Sequence, residues 1–100
     1  GEDAPSADQV RAISGVALLE FGTPWCGHCQ AAGPAVQTAM KDYPELQHVK
    51  VYDGKGKRLG RSFKVKLWPT LILLRDGVEV TRLVRPVAAE EVHQLLSQSA

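Results

Sequence analysis

The sequence predicts an α/β domain in which helices flank a mixed β-sheet. Three observations carry that reading. The strand-length runs Val16 to Phe21 and Leu71 to Leu74 are apolar on both faces, as strands covered on both sides must be. Helical patterns interleave with them in the order helix, strand, helix, strand, helix, strand, strand, helix. Between the last two strands, Asp76-Gly77 signals a hairpin and hence an antiparallel edge. The chain of 100 residues has room for one domain, spanning 1–100.

The elements follow in order. Gly1 to Ser6 is acidic, polar and proline-containing, and reads as a frayed leader. Ser6 is also a candidate N-cap for a short helix through Ile13, stopped near Gly15. Val16 to Phe21 is a central strand with one anomaly, Glu20. Thr23-Pro24 signals a turn, and a helix is expected from about Cys26 to Tyr43, kinked at Pro34 and closed by Pro44. Val49, Val51 and Tyr52 mark a second strand, Asp53 to Gly56 a loop, and Lys57 to Phe63 a short helix. Trp68-Pro69-Thr70 turns into the strand Leu71 to Leu74, and Glu79 to Val84 is the return strand. A last amphipathic helix runs from about Ala88 to Ser97, with Val92, Leu95 and Leu96 on its apolar side.

Composition narrows the function classes. Hydrophobic residues make up 44% and charged residues 23%, ordinary for a folded soluble domain and too apolar for a disordered chain. No run approaches the roughly 20 apolar residues of a membrane span. Twelve basic residues nearly balance eleven acidic ones. The balance hides an asymmetry: from Lys50 to Lys66 seven basic residues face Asp53 alone. Such a face is either simply solvated or a surface that steers acidic partner proteins. Nucleic-acid binding would require interleaved aromatics, and Phe63 and Trp68 are too sparse for that.

Chemistry is concentrated in Trp25-Cys26-Gly27-His28-Cys29. A Cys-x-x-Cys at a strand-to-helix junction sets its first sulfur at a helix N-terminus, where unpaired N–H groups and the macrodipole favour a thiolate. Cys26 is therefore the expected nucleophile. Two intervening residues let Cys29 close onto it, and Gly27 reduces crowding there. A protonated His28 would stabilise the reduced form and make the couple more oxidising. Rival readings are weaker. A structural zinc site needs four ligands, and His28, His48 and His93 lack the spacing. Haem attachment needs a histidine where Gln30 stands. An inert disulfide would close a loop too small to stabilise much.

Glu20 is the second clue. A carboxylate in an apolar central strand needs a partner or its neutral form. Six residues before Cys26, it is placed to take a proton from Cys29, through water, as Cys29 attacks a mixed disulfide. The bland alternative is an edge-strand glutamate facing solvent. Lys50, on the neighbouring strand, is the candidate charge partner. Whether the Trp68–Pro69 bond is cis is left open by the residues themselves.

Together these residues resemble the thioredoxin superfamily over nearly the whole chain from Val16 on. The stretch Glu20 to Cys29 is most similar to the catalytic domains of protein disulfide isomerase, which carry the same Cys-Gly-His-Cys centre, a preceding Pro-Trp and a glutamate at the place of Glu20. Pro34 falls where the family has its helix-kinking proline, Trp68-Pro69-Thr70 where it has its cis-proline, and Lys50 where thioredoxins have a lysine near the buried acid. The resemblance implies a thioredoxin-like fold, a cis Pro69, and a groove where Trp25, Gly27, Trp68, Pro69 and Thr70 meet an extended substrate segment. The chain departs from the pattern in three places. Gly22 stands where a large ring is usual, which would open one wall of the site. Trp68 is bulkier than the usual residue and would narrow or re-aim the groove. Arg85 stands at a groove-lining glycine and is either solvated or near enough to lower the pKa of Cys29.

The expectation is a thiol–disulfide oxidoreductase that exchanges dithiol and disulfide with protein substrates, Cys26 attacking and Cys29 resolving. It needs no cofactor or metal beyond the redox-active pair. Its partners are protein disulfides or dithiols and an upstream thiol reductant, with no nucleic acid and no membrane, and the chain acts as a monomer. The expected compartment is a bacterial cytoplasm, with the periplasm as the alternative. The competing function is a docking module using the basic Lys55–Lys66 surface, with redox activity incidental.

Overall fold

A computed structural model describes residues 5–54 and 58–99. Helix α1 spans Ala7–Arg11, strand β1 Val16–Gly22, helix α2 Gly27–Met40 and strand β2 Gln47–Tyr52. Helix α3 spans Arg58–Ser62, strands β3 and β4 span Thr70–Arg75 and Val78–Val84, and helix α4 spans Ala89–Leu96, followed by a 3₁₀ turn at Ser97–Ser99. The strands form one four-stranded sheet in the order β2-β1-β3-β4. β1 and β2 are parallel, so the chain needs a crossover between them, which α2 supplies. β3 runs antiparallel to both β1 and β4.

Each face of the sheet carries a core. On one side Leu18, Leu71 and Leu73 pack against Ala35 and Val36 of α2 and Val92, Leu95 and Leu96 of α4. On the other, Leu19, Phe21, Ile72 and Leu74 pack with Val10 of α1 and Leu59 of α3. Alternating residues of β1 therefore feed opposite cores, which is why its apolar residues run continuously. Burial of each such side chain is worth about 1.5–3 kcal/mol. Glu20 shares the α2 face with Leu18 and is the polar residue β1 turns to that face.

Local chemistry explains where elements begin and end. Ser6 is not frayed: its hydroxyl accepts from Gln9 N–H at 3.1 Å while the Gln9 side chain accepts from Ser6 N–H at 2.8 Å, a capping box. Residues 1–4 of the expected leader lie outside the described residues. Helix α2 stops at Met40 rather than Tyr43. Asp42 and Tyr43 donate to carbonyls three residues back, a tightened last turn, and Pro44 keeps the residue before it out of the helical region. Lys55, Gly56 and Lys57, half of the expected loop and the start of the expected helix, lie outside the described residues, so α3 is seen from Arg58. At the hairpin, Asp76 and Gly77 have φ of 51° and 81°, the two positive angles of the turn that suits twisted strands. A Cβ on Gly77 would run into the Arg11 carbonyl, and Asp76 bonds Gly15 through both backbone and side chain, at 2.8 and 2.7 Å. The turn is thereby fastened to the end of α1.

Candidate active site

Cys26 is the N-cap of α2. Its backbone is extended, and its sulfur accepts the N–H of Cys29 at 3.2 Å, the bond a serine or aspartate would accept at such a position. Burial pushes the Cys26 thiol up. That is outweighed by the hydrogen bond from the Cys29 thiol, the backbone N–H groups of Cys29 and His28, and the charge of Arg85, which together hold it below the ordinary thiol value. Cys29 goes the other way, pushed up to about 11 by burial, by its bond to Cys26 and by the negative charges of Cys26 and Glu20, against a lowering contact from the Thr23 backbone. Both cysteines are free thiols here, half-buried and one helical turn apart. One ionises readily and the other holds its proton.

Gly22 has a tighter role than an opened wall. A Cβ there would lie 2.6 Å from the Cys29 sulfur, so the sulfur occupies the space a side chain would need. Beside it lies a cavity of about 410 Å³ that Glu20, Gly22, Cys29, Gln30, Lys50 and Tyr52 help to line.

The Trp68–Pro69 peptide bond is cis. The Trp68 carbonyl sits 3.9 Å from the Cys26 sulfur and accepts Arg85 Nε–H at 2.9 Å. Arg85 holds a φ of 53°, a left-handed conformation natural to glycine, and its N–H donates to the Pro69 carbonyl at 2.9 Å. Thr70 Oγ1 donates to the Leu67 carbonyl at 2.6 Å, closing the loop beneath the proline. Trp25 is 66% exposed and packs edge-on against Tyr52 at a ring separation of 5.5 Å. Gly27 and His28 are exposed at the start of α2; what His28 contributes to Cys26 is its backbone N–H.

Two expectations are corrected. The partner of Glu20 is His48, whose Nε2 lies 2.6 Å from Glu20 Oε1, and not Lys50. Lys50 is the register neighbour of Glu20 and shares its face, but it is exposed, and the imidazole two residues earlier reaches the carboxylate instead. Arg85 is near the cysteines, but the sulfur it influences is that of Cys26, not Cys29. Glu20 itself is on a central strand, not an edge, and its side chain is 13% exposed.

Sequence reasoning missed Asp53. Read as a loop residue, it is buried, accepts Trp68 Nε1–H at 2.8 Å through Oδ2, and donates its N–H to the Gly22 carbonyl at 2.9 Å. It thus pins the Trp68 ring to the end of β1. The Asp-Gly pair looks like a turn, and only the bulky Trp68, with an indole N–H to satisfy, hinted at an acceptor. Among the described residues, no three His, Cys, Asp or Glu side chains are grouped to hold a metal ion, and no helix is long and apolar enough to cross a membrane.

A family model described as Thioredoxin matches residues 3–98. The thioredoxin of Chlamydia trachomatis is 32% identical over 92 residues, covering 92% of this chain and 88% of that protein. An H-type thioredoxin of Fagopyrum esculentum is 30% identical, covering 78% of this chain and 67% of its own. The structure of reduced thioredoxin 2 from Pseudomonas aeruginosa PAO1 superposes with a TM-score of 0.89 at 52% identity, covering 99% of this chain and 92% of that one.

Proposed function

This chain belongs to the thioredoxin family, and from that premise we propose a division of labour in which Cys26 attacks disulfides of protein substrates and Cys29 resolves the product. The fold is the thioredoxin fold, and the enzyme is a protein-disulfide oxidoreductase. What carries the assignment of roles is the opposite displacement of the two thiols, Cys26 below the ordinary value and Cys29 up at about 11.

The Cys26 thiolate forms a bond to one substrate sulfur, and the substrate S–S bond breaks, its other sulfur leaving as a thiolate. With Cys26 bonded to substrate, its negative charge and its hydrogen bond no longer hold the Cys29 proton in place. Cys29 yields that proton to Glu20, and its sulfur bonds to Cys26. The mixed disulfide breaks, leaving substrate as a dithiol and the protein as a Cys26–Cys29 disulfide. Two electrons have passed to the substrate, and an upstream thiol reductant restores the pair. Run backwards, the same steps oxidise a substrate. Trp25, Gly27 and Trp68 form the surface on which the substrate lies, with Pro69 and Thr70 buried beneath it, contrary to the expectation that they meet substrate, and Arg85 beside the nucleophile. Gly27 and His28 between the cysteines support a centre of the protein disulfide isomerase kind. The bacterial relatives support a reducing bacterial compartment. No feature of the basic segment favours a docking module over this reading.

Insulin reduction by dithiothreitol is the test. Wild-type protein is expected to accelerate it, and Cys26→Ser to return it to background. Equal rates for the two proteins would remove the proposed nucleophile.

A further inference from the structure

We propose that His48 is the positioning residue through which Glu20 passes the Cys29 proton to solvent. The inference rests on the exchange reading above and adds to it a residue outside the cysteine motif. His48 lies on β2 with its Nε2 2.6 Å from Glu20 Oε1. Its side chain is 23% exposed against 13% for Glu20, so the pair leads from the protein interior toward water. Glu20 sits on the central strand beneath α2, opposite Leu71 of β3, and its side chain is the less exposed of the two. The groups that line the same cavity from neighbouring elements are Cys29 and Gln30 of α2 and Lys50 and Tyr52 of β2. Asp42 and His93, a second carboxylate–imidazole pair, lie 3.4 Å apart. His48 bonds the Glu20 carboxylate directly.

The proton balance is simple. At resolution Cys29 loses its proton to the Glu20 carboxylate, and the Cys29 electron pair forms the bond to Cys26. The Cys26 bond to the substrate sulfur breaks, and that sulfur leaves with its electron pair. The acid form of Glu20 donates to Nε2 of a His48 ring protonated on Nδ1. The resulting imidazolium faces a carboxylate and releases its Nδ1 proton to water, and the remaining ring proton exchanges through water to return the starting tautomer. Glutamine at position 48 would keep a polar partner for Glu20 without being able to carry the proton.

The experiment uses the reduced chain and 5,5′-dithiobis(2-nitrobenzoate). Attack by Cys26 releases a first thionitrobenzoate, and resolution by Cys29 releases a second, so the two steps are read separately. For His48→Gln the first phase is expected to be unchanged at each pH. The second is expected to slow about tenfold at pH 7 and to change in its dependence on pH. His48→Ala should behave alike if it folds. In Glu20→Gln, adding His48→Gln should cost nothing more. A second phase in His48→Gln with the wild-type rate and pH profile would overturn the proposal, as would additive slowing in the double variant. Loss of the first phase in wild type would instead sink the exchange reading itself, so the two failures are distinguishable.

Discussion

At Arg85 one side chain has two opposed effects. Its backbone sits in a left-handed conformation at φ of 53°, which costs a non-glycine residue about 1–2 kcal/mol. Its guanidinium grips the Trp68 carbonyl and lowers the Cys26 thiol. Arg85→Gly should separate the two: stability in urea is held or raised, while the thiolate absorbance of Cys26 titrates at higher pH and exchange at pH 7 slows several-fold. An unshifted titration would remove Arg85 from the account of the nucleophile. The sequence placed Arg85 near the site but on the wrong sulfur, because a residue's distance to each of two neighbouring cysteines is set by the β4 end and the proline loop together. The same limit hid His48 and Asp53. Each acts through a contact between segments about thirty or fifteen residues apart in the chain (Glu20 with His48, Trp68 with Asp53), and no local pattern encodes such a pair.

Among the elements, α2 bears most directly on chemistry. Its first turn aims the N–H groups of His28 and Cys29 at the Cys26 sulfur, and it carries no acidic side chain there to oppose a thiolate. Such a terminus stabilises the reduced form, which raises the reduction potential. Equilibration with glutathione should place the Cys26–Cys29 couple nearer about −180 mV, as for protein disulfide isomerase, than about −270 mV, as for thioredoxin; a value under about −260 mV would reverse this. That helix was legible because a Cys-x-x-Cys after a Thr-Pro turn leaves few other structures available. Its end was less so: Lys41 to Tyr43 have adequate helical propensity, and only the proline that follows decides the matter. β1 and β3 were legible from continuous apolar runs. β2 was seen only in part, since Gln47 and His48 are polar and join the strand through pairing with Ala17 and Leu18.

Across the whole molecule, folding and protonation are linked through the second cysteine. An unfolded Cys29 ionises in the ordinary thiol range near about 8.5–9, whereas the folded one holds its proton to about 11. The unfolded chain thus loses this proton first. The stability this implies is fully present below about pH 8.5 and is lost as pH rises toward 11. Urea midpoints of the reduced protein should therefore fall across that window, and fall less in Cys29→Ser. Equal slopes in both proteins would contradict the raised value. The architecture itself was legible to a good degree, since a mixed sheet with an antiparallel edge follows from the element order. The strand sequence β2-β1-β3-β4 was not, because which strand lies beside which depends on burying two faces at once.

The sulfur lodged in the niche left by Gly22 bears on labelling. A brief dose of an alkylating electrophile at neutral pH meets one sulfur near the surface that ionises more readily than an ordinary thiol and one that is protonated and sheltered. Each chain then takes up a single tag, at Cys26, and a chain whose Cys29 is replaced would hold its captured client covalently long enough to be isolated.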